Sequence, residues 1–147
     1  MSGESIHAVV IGGGAVATRK ALTLCEAGAK VTVIAPEISE ELSQAASSGS
    51  QLSLARRSYL GAGDLADADI VYAATNSEAV NETVAADARS IHRLVNVATD
   101  GTVGSFVSMA THRDGQVTIG VIAGGRPKEA MQIRDSIARR LRQAERD

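Results

Sequence analysis

HAVVIGGGAVATRKALTLCEAGAKVTVIAPE, residues 7–37, is the stretch whose reading decides the fold. Its first five residues, His7 to Ile11, are an apolar run that reads as a buried strand. Gly12-Gly13-Gly14 follows at once. Ala15 to Ala27 then places Val16, Leu22 and Leu24 among alanines, which predicts a helix, and Gly28 stands just past its end as a C′ glycine. Lys30 to Ala35 is a second β-branched strand, stopped by Pro36. The glycines therefore sit between a strand and a helix in the pattern Gly12-x-Gly14-x-x-Ala17. The first glycine permits a tight turn, the second lets backbone approach a pyrophosphate, and the small third residue lets helix and strand pack closely. Free N–H groups and the dipole at the helix start attract phosphate.

The same alternation continues outward. Ser39 is a plausible cap for a short helix through about Ala46, and Gln51 to Arg56 reads as a third strand. Tyr59 to Asp69 is a loop with a helical turn. Ile70 to Ala74 is a fourth, buried strand, Ser77 caps a helix through about Ser90, and Arg93 to Ala98 is a fifth strand. This order predicts an α/β fold, a Rossmann-type parallel sheet with helices on both faces. After Asp100 the pattern changes. Gly104 to Thr111 and Gln116 to Ile122 are strand-like runs joined by His112-Arg113-Asp114-Gly115, so the sheet is expected to gain an antiparallel edge. Pro127 opens a last helix to about Ala144, with Met131, Ile133, Ile137 and Leu141 as its apolar positions. The expected organisation is a nucleotide-binding domain over 1–111, with 112–147 as a hairpin-and-helix extension of it.

Composition narrows the function. The chain has 147 residues, enough for a core without staples, and 44% of them are hydrophobic. Aromatics are 2% and net charge is −2, which disfavours nucleic-acid binding. The single cysteine, Cys25, excludes an internal disulfide and a cysteine-built zinc site; it reads as a core residue. His7, His92 and His112 are scattered, so no metal constellation is evident. No basic-then-apolar leader opens the chain, and no apolar run reaches the roughly 20 residues of a membrane span. The expectation is a cytoplasmic protein with no membrane contact.

Candidate site residues lie beyond the strand ends, where ligands of open α/β sheets bind. Gly12 and Gly14 face the pyrophosphate. Pro36 and Glu37 end the second strand; Glu37 reaches a ribose hydroxyl, or the pair lines an adenosine pocket. No Arg or Lys adjoins them in sequence to meet a 2′-phosphate, which favours NAD over NADP. Thr75 and Asn76 follow the fourth strand, either touching the cofactor or closing a capped loop with Ser77.

With these residues placed, the sequence resembles the N-terminal module of siroheme synthases, the precorrin-2 dehydrogenase/sirohydrochlorin ferrochelatase family. VVIGGGAVATRKALTLCEAGAKVTVIAPEI (9–38), Tyr59 to Leu65 ending in GDL, DIVYAATNSEAVN (69–81) and LVNVATDGTVGSF (94–106) carry the resemblance. It implies NAD as cofactor, with Ala15, Val16, Pro36 and Glu37 lining its site. It implies hydride transfer from precorrin-2, giving sirohydrochlorin, with ferrochelatase activity in some members. The family's acid/base aspartate falls three residues after Asn96, where this chain has Thr99; Asp100 follows, and either takes that role or is a turn residue beside Gly101. A carboxylate suits the task because it can accept a macrocycle proton. Cations should hold the tetrapyrrole's carboxylates, and Arg113, Arg126 and Lys128 are the candidates, while Arg19 and Lys20 read as solvent-facing. A homodimer through the last helix and the hairpin is expected. The competing readings are a non-catalytic NAD(H)-binding redox sensor and a tetrapyrrole carrier.

Overall fold

The structure, a computed structural model, describes residues 6–144. It contains β1 (His7–Ile11), α1 (Ala15–Glu26), β2 (Lys30–Ile34), α2 (Glu40–Ser47), β3 (Leu52–Ala55), β4 (Ile70–Ala73), α3 (Glu78–Ser90), β5 (Leu94–Val97), β6 (Ala110–Asp114), β7 (Val117–Val121) and α4 (Pro127–Ala144). A 3-10 turn spans Ala62–Leu65. Strands β1 to β5 form one parallel sheet in the order β3-β2-β1-β4-β5. The order reverses between β1 and β4, which makes the crevice beyond those two strand ends the switch point of the sheet.

The strand alternation explains why helices cover both faces. Val9, Ile11, Val71, Ala73, Val95 and Val97 join Val84, Ala85 and Ala88 of α3 in one buried cluster. Ala8, Val10, Val31, Val33 and Tyr72 join Ala17 and Ala21 of α1 and Leu42 of α2 in the other. Successive strand residues point to opposite faces, so a strand buried on both faces reads as an unbroken apolar run. Each such Val or Ile contributes about 1.5–3 kcal/mol by leaving water.

The predicted helix ends are well placed. Ser39 and Ser77 cap α2 and α3 through their hydroxyls, accepting from the Leu42 and Val80 N–H groups. Gly28, at φ +84, closes α1 with its N–H on the Cys25 carbonyl and the Ala29 N–H on the Leu24 carbonyl. That is the Schellman arrangement. The end of α3 repeats it with His92 in the glycine position, at φ +58. Cys25 is free and half-buried; burial pushes its thiol up, with Glu26 adding to the shift.

The antiparallel edge expected for the main sheet is not formed. β6 and β7 make a separate two-stranded sheet, joined through Gly115 and Gln116, and β6 begins at Ala110 rather than Gly104. The free edge of β5 is taken instead by Ser105: its N–H donates to the Val95 carbonyl and its hydroxyl accepts from the Val95 N–H. Asn96 holds the Phe106 carbonyl at 3.0 Å, and the Phe106 ring meets Tyr72 edge-on at 5.6 Å. Both backbone groups of Val95 are thereby taken from any further strand on that edge.

The described residues divide into two compact units, one running to Phe106 and the other starting at Val107, so all of β6 lies in the second. In that second unit α4 packs on the hairpin through Ala130 and Ala138. The larger apolar positions Met131, Ile133, Ile137 and Leu141 are 37–42% exposed. Small residues let a helix lie close to a two-stranded ribbon, and so narrow a ribbon covers only part of an apolar face.

Candidate functional site

Three glycines in a row serve three separate needs. Gly12 has φ +124, a conformation L side chains rarely adopt, and an added Cβ would strike the Ala74 carbonyl beyond β4. At Gly13 a Cβ would overlap the Glu37 carbonyl and press on the Ala35 Cβ at 3.0 Å. Gly14, the N-cap of α1, has φ −81 and ψ −170, which suit any residue, and a Cβ there would meet nothing within 4 Å. Neither backbone nor packing calls for glycine at that position. What remains is the approach of something from outside.

The head of α1 suits an anion. Gly14 provides no side-chain cap, and no acidic residue lies in the first turn. Gly14, Ala15 and Val16 are all exposed. N–H groups at such a helix start, with the dipole behind them, favour phosphate. A relay fixes the turn from below. The Leu42 N–H donates to Ser39 Oγ, Ser39 donates to Thr18 Oγ1 at 2.8 Å, and Thr18 donates to the Gly14 carbonyl at 2.9 Å. The Ser39 N–H also donates to the Gly13 carbonyl. The glycine turn and the segment after β2 are thus one rigid piece, and Pro36 and Glu37 are exposed on it. These residues fit a dinucleotide, with its diphosphate at Gly14 and its adenosine side toward Glu37.

A cation distant in sequence lies near the end of β2. The Ala35 N–H donates to the Ala55 carbonyl, one step past the Ile34–Ala55 pair, which brings Arg56 opposite Ala35 at the end of β2. Arg56 Nη2 is held by Ser43 Oγ at 2.7 Å. Parallel strands thus juxtapose residues about 20 apart in sequence, but Arg56 is held by α2 and not by Glu37.

On the β4 side, Thr75 is half-buried and Asn76 exposed. The Thr75 loop is organised by Asn81 of α3, which is completely buried. Asn81 Oδ1 accepts from the Thr75 N–H at 3.0 Å and lies 2.7 Å from its hydroxyl, while Nδ2 donates to the Thr75 carbonyl at 3.1 Å. Sequence reading noted this residue only as the end of the stretch 69–81 and gave it no role. Its signal was an amide at the head of the stripe Asn81, Val84, Ala85, Ala88, otherwise apolar and buried.

Asp100 forms a turn. Its Oδ1 accepts from the Thr102 N–H at 2.8 Å and the Thr102 hydroxyl at 2.6 Å, and these bonds hold its carboxyl below the usual carboxylate range. Among the described residues Oδ2 has no hydrogen-bond partner. Thr99, at the position the resemblance gives to aspartate, is exposed. Lys20 is not solvent-facing: its ammonium stands 5.4 Å from the centre of the Tyr72 ring. Burial holds it below the usual lysine range, with Arg19 adding to the shift. Arg19 itself is exposed.

Arg113, Arg126 and Lys128 belong to the second unit and are exposed. Arg113 Nε donates weakly to Thr118 Oγ1 at 3.4 Å. Arg126 pairs with Glu129 at 2.6 Å, and Arg126, Lys128 and Gln132 line one shallow depression at the start of α4. Among the described residues no group of three or more His, Cys, Asp or Glu is placed to hold a metal ion. Nor is any helix there long and apolar enough to cross a membrane.

Known proteins resemble this chain in sequence and in fold. The chain is 39% identical over 132 residues to a siroheme synthase of Saccharophagus degradans, covering 88% of this chain and 28% of that protein. It is 29% identical over 139 residues to a precorrin-2 dehydrogenase of Bacillus subtilis, covering 91% and 82%. Its fold matches the solved structure of SirC, a precorrin-2 dehydrogenase, with TM-score 0.81 and 28% identity over 95% of this chain and 68% of that one. The chain spans about a quarter of the length of the siroheme synthases it matches. The model of a putative NAD(P)-binding family matches residues 2–110, three-quarters of the sequence. With siroheme synthases and precorrin-2 dehydrogenases among its relatives, the chain belongs to that NAD(P)-binding family.

Proposed function

We propose that the protein oxidises precorrin-2 to sirohydrochlorin with NAD, in the cytoplasm. The observation that carries the cofactor half is Gly14, open and uncapped at the head of α1 where no protein atom requires glycine. The substrate half rests on the match to SirC over 95% of the chain. NAD, bound there, supplies the hydride acceptor. The α1 head, Ala15 and Val16 hold the diphosphate, and Pro36 and Glu37 hold the adenosine side. Thr75 and Asn76 border the far side, across the β1–β4 crevice. Precorrin-2 gives up a hydride and a proton, and the proton goes to Asp100 through Oδ2. Arg113, Arg126 and Lys128 supply positive charge for the substrate's carboxylates.

In this reading the unit ending at Phe106 binds the nucleotide, and the unit from Val107 serves the substrate and the dimer. The chain acts as a homodimer through α4 and the hairpin, where Met109, Val117 and Ile122 are more than half exposed. A free, unpaired Cys25 suits a reducing cytoplasm. The test is an anaerobic assay with precorrin-2 and NAD, read as NADH absorbance. No NADH formation refutes the dehydrogenase. Iron or cobalt added afterwards tests for chelation. A second reading, NAD(H) binding without turnover, draws support from the Thr102 bonds that occupy Asp100 Oδ1; NADH binding without oxidation of precorrin-2 would select it.

A further inference from the structure

We propose that Asn81 is the positioning residue for the nicotinamide half of the cofactor, tying the loop after β4 to the loop after β5; this rests on the dinucleotide reading of the site. Asn81 satisfies both backbone groups of Thr75, its N–H at 3.0 Å and its carbonyl at 3.1 Å. It also meets the Thr75 hydroxyl at 2.7 Å. Its Nδ2 then reaches Thr99 Oγ1 at 3.4 Å, beyond the end of β5. The Thr75 hydroxyl passes the order on, lying 3.0 Å from the Ser77 carbonyl and accepting from the Ser77 N–H at 3.2 Å.

A buried amide that uses both ends on loop groups fixes loop conformation, since any shift would leave desolvated polar atoms unpaired. The loop it fixes abuts the phosphate turn: a Cβ at Gly12 would lie against the Ala74 carbonyl and 3.1 Å from the Thr75 nitrogen. A dinucleotide with its diphosphate at Gly14 and adenosine toward Glu37 must send its other half across the switch point, over β4 and β5. The side-chain bonds of Asn81 all go to the loops after β4 and β5. None goes to the glycine turn or to the segment after β2.

The placement separates two ligands. ADP-ribose carries the distal ribose but lacks the nicotinamide ring, so the difference between it and NAD reads the ring's contacts over β4 and β5. Calorimetry on the full chain would compare NAD with ADP-ribose for the native protein, Asn81→Asp and Thr99→Val. Aspartate keeps the acceptor for the Thr75 N–H but sets an oxygen against the Thr75 carbonyl. The expected result is NAD binding weakened at least tenfold in Asn81→Asp and about threefold in Thr99→Val, with ADP-ribose unchanged within twofold. Lowering the pH to protonate the new carboxyl should restore NAD binding to Asn81→Asp, which a lost structural contact would not do. Equal losses for both ligands, or none, overturn the proposal. If Asn81→Asp does not fold, as judged by circular dichroism, Thr99→Val decides alone, because its side chain is exposed. A native chain that binds neither ligand refutes the cofactor reading itself, and the proposal with it.

Discussion

Replacing Gly14 by alanine should separate the glycine that serves a ligand from those that serve the fold. Two effects act on stability. Alanine lowers the entropy of the unfolded chain, worth about 0.4–1 kcal/mol where the native conformation accepts it, as φ −81 and ψ −170 do. Alanine is also a poorer N-cap than glycine, by roughly 0.5–1 kcal/mol. With no atom within 4 Å of the new methyl, no clash is added, and the two effects leave stability within about 1 kcal/mol of native. Binding should respond differently. A methyl at the helix head displaces the diphosphate from backbone N–H groups, and one charge-assisted hydrogen bond is worth about 1.5–3 kcal/mol. That is about 10- to 150-fold in Kd. Gly13→Ala is the control: its methyl overlaps the Glu37 carbonyl, and such overpacking costs about 1–3 kcal/mol. Thermal melts with and without NAD measure both quantities, since ligand raises Tm by mass action. The reasoning fails if Gly14→Ala melts far below native, or if NAD raises its Tm as much as it raises the native one.

The other predictions are smaller in scope. His92→Gly should raise stability by about 1 kcal/mol, a Tm gain of about 2–4 °C, because φ +58 at the end of α3 strains a residue with a Cβ; an unchanged Tm would contradict that strain. Asp64 lies below the usual carboxylate range because Arg57 binds it, with the Leu60 N–H helping. Its contribution should be complete above about pH 4, the unfolded value, and fade as acid carries it through the lower folded value. Urea unfolding of Asp64→Asn should therefore show a shallower loss of stability below pH 4 than the native chain. Asp100→Asn should lower precorrin-2 oxidation while leaving NAD binding intact. Since the Thr102 bonds hold the Asp100 carboxyl low, native turnover should show no titration near neutral pH. Full turnover by the asparagine variant would remove Asp100 from the chemistry.

Period and punctuation were legible in the sequence because they are local. The apolar runs at His7–Ile11 and Ile70–Ala73 could be buried only by a sheet covered on both faces, and Gly28, Ser39 and Ser77 mark helix ends through bonds to residues two to four positions away. The glycine turn was legible for the same reason, since strand, turn and helix adjoin in the chain. Tertiary structure decided what depends on distant partners. It put Arg56 opposite Ala35, buried Asn81 beneath Thr75, set Lys20 over Tyr72, and gave Ser105 the place beside Val95 on the free edge of β5. It also packed α4 through its alanines and left its larger apolar residues exposed. None of these follows from periodicity, because each is a choice among partners that only the closed sheet brings within reach.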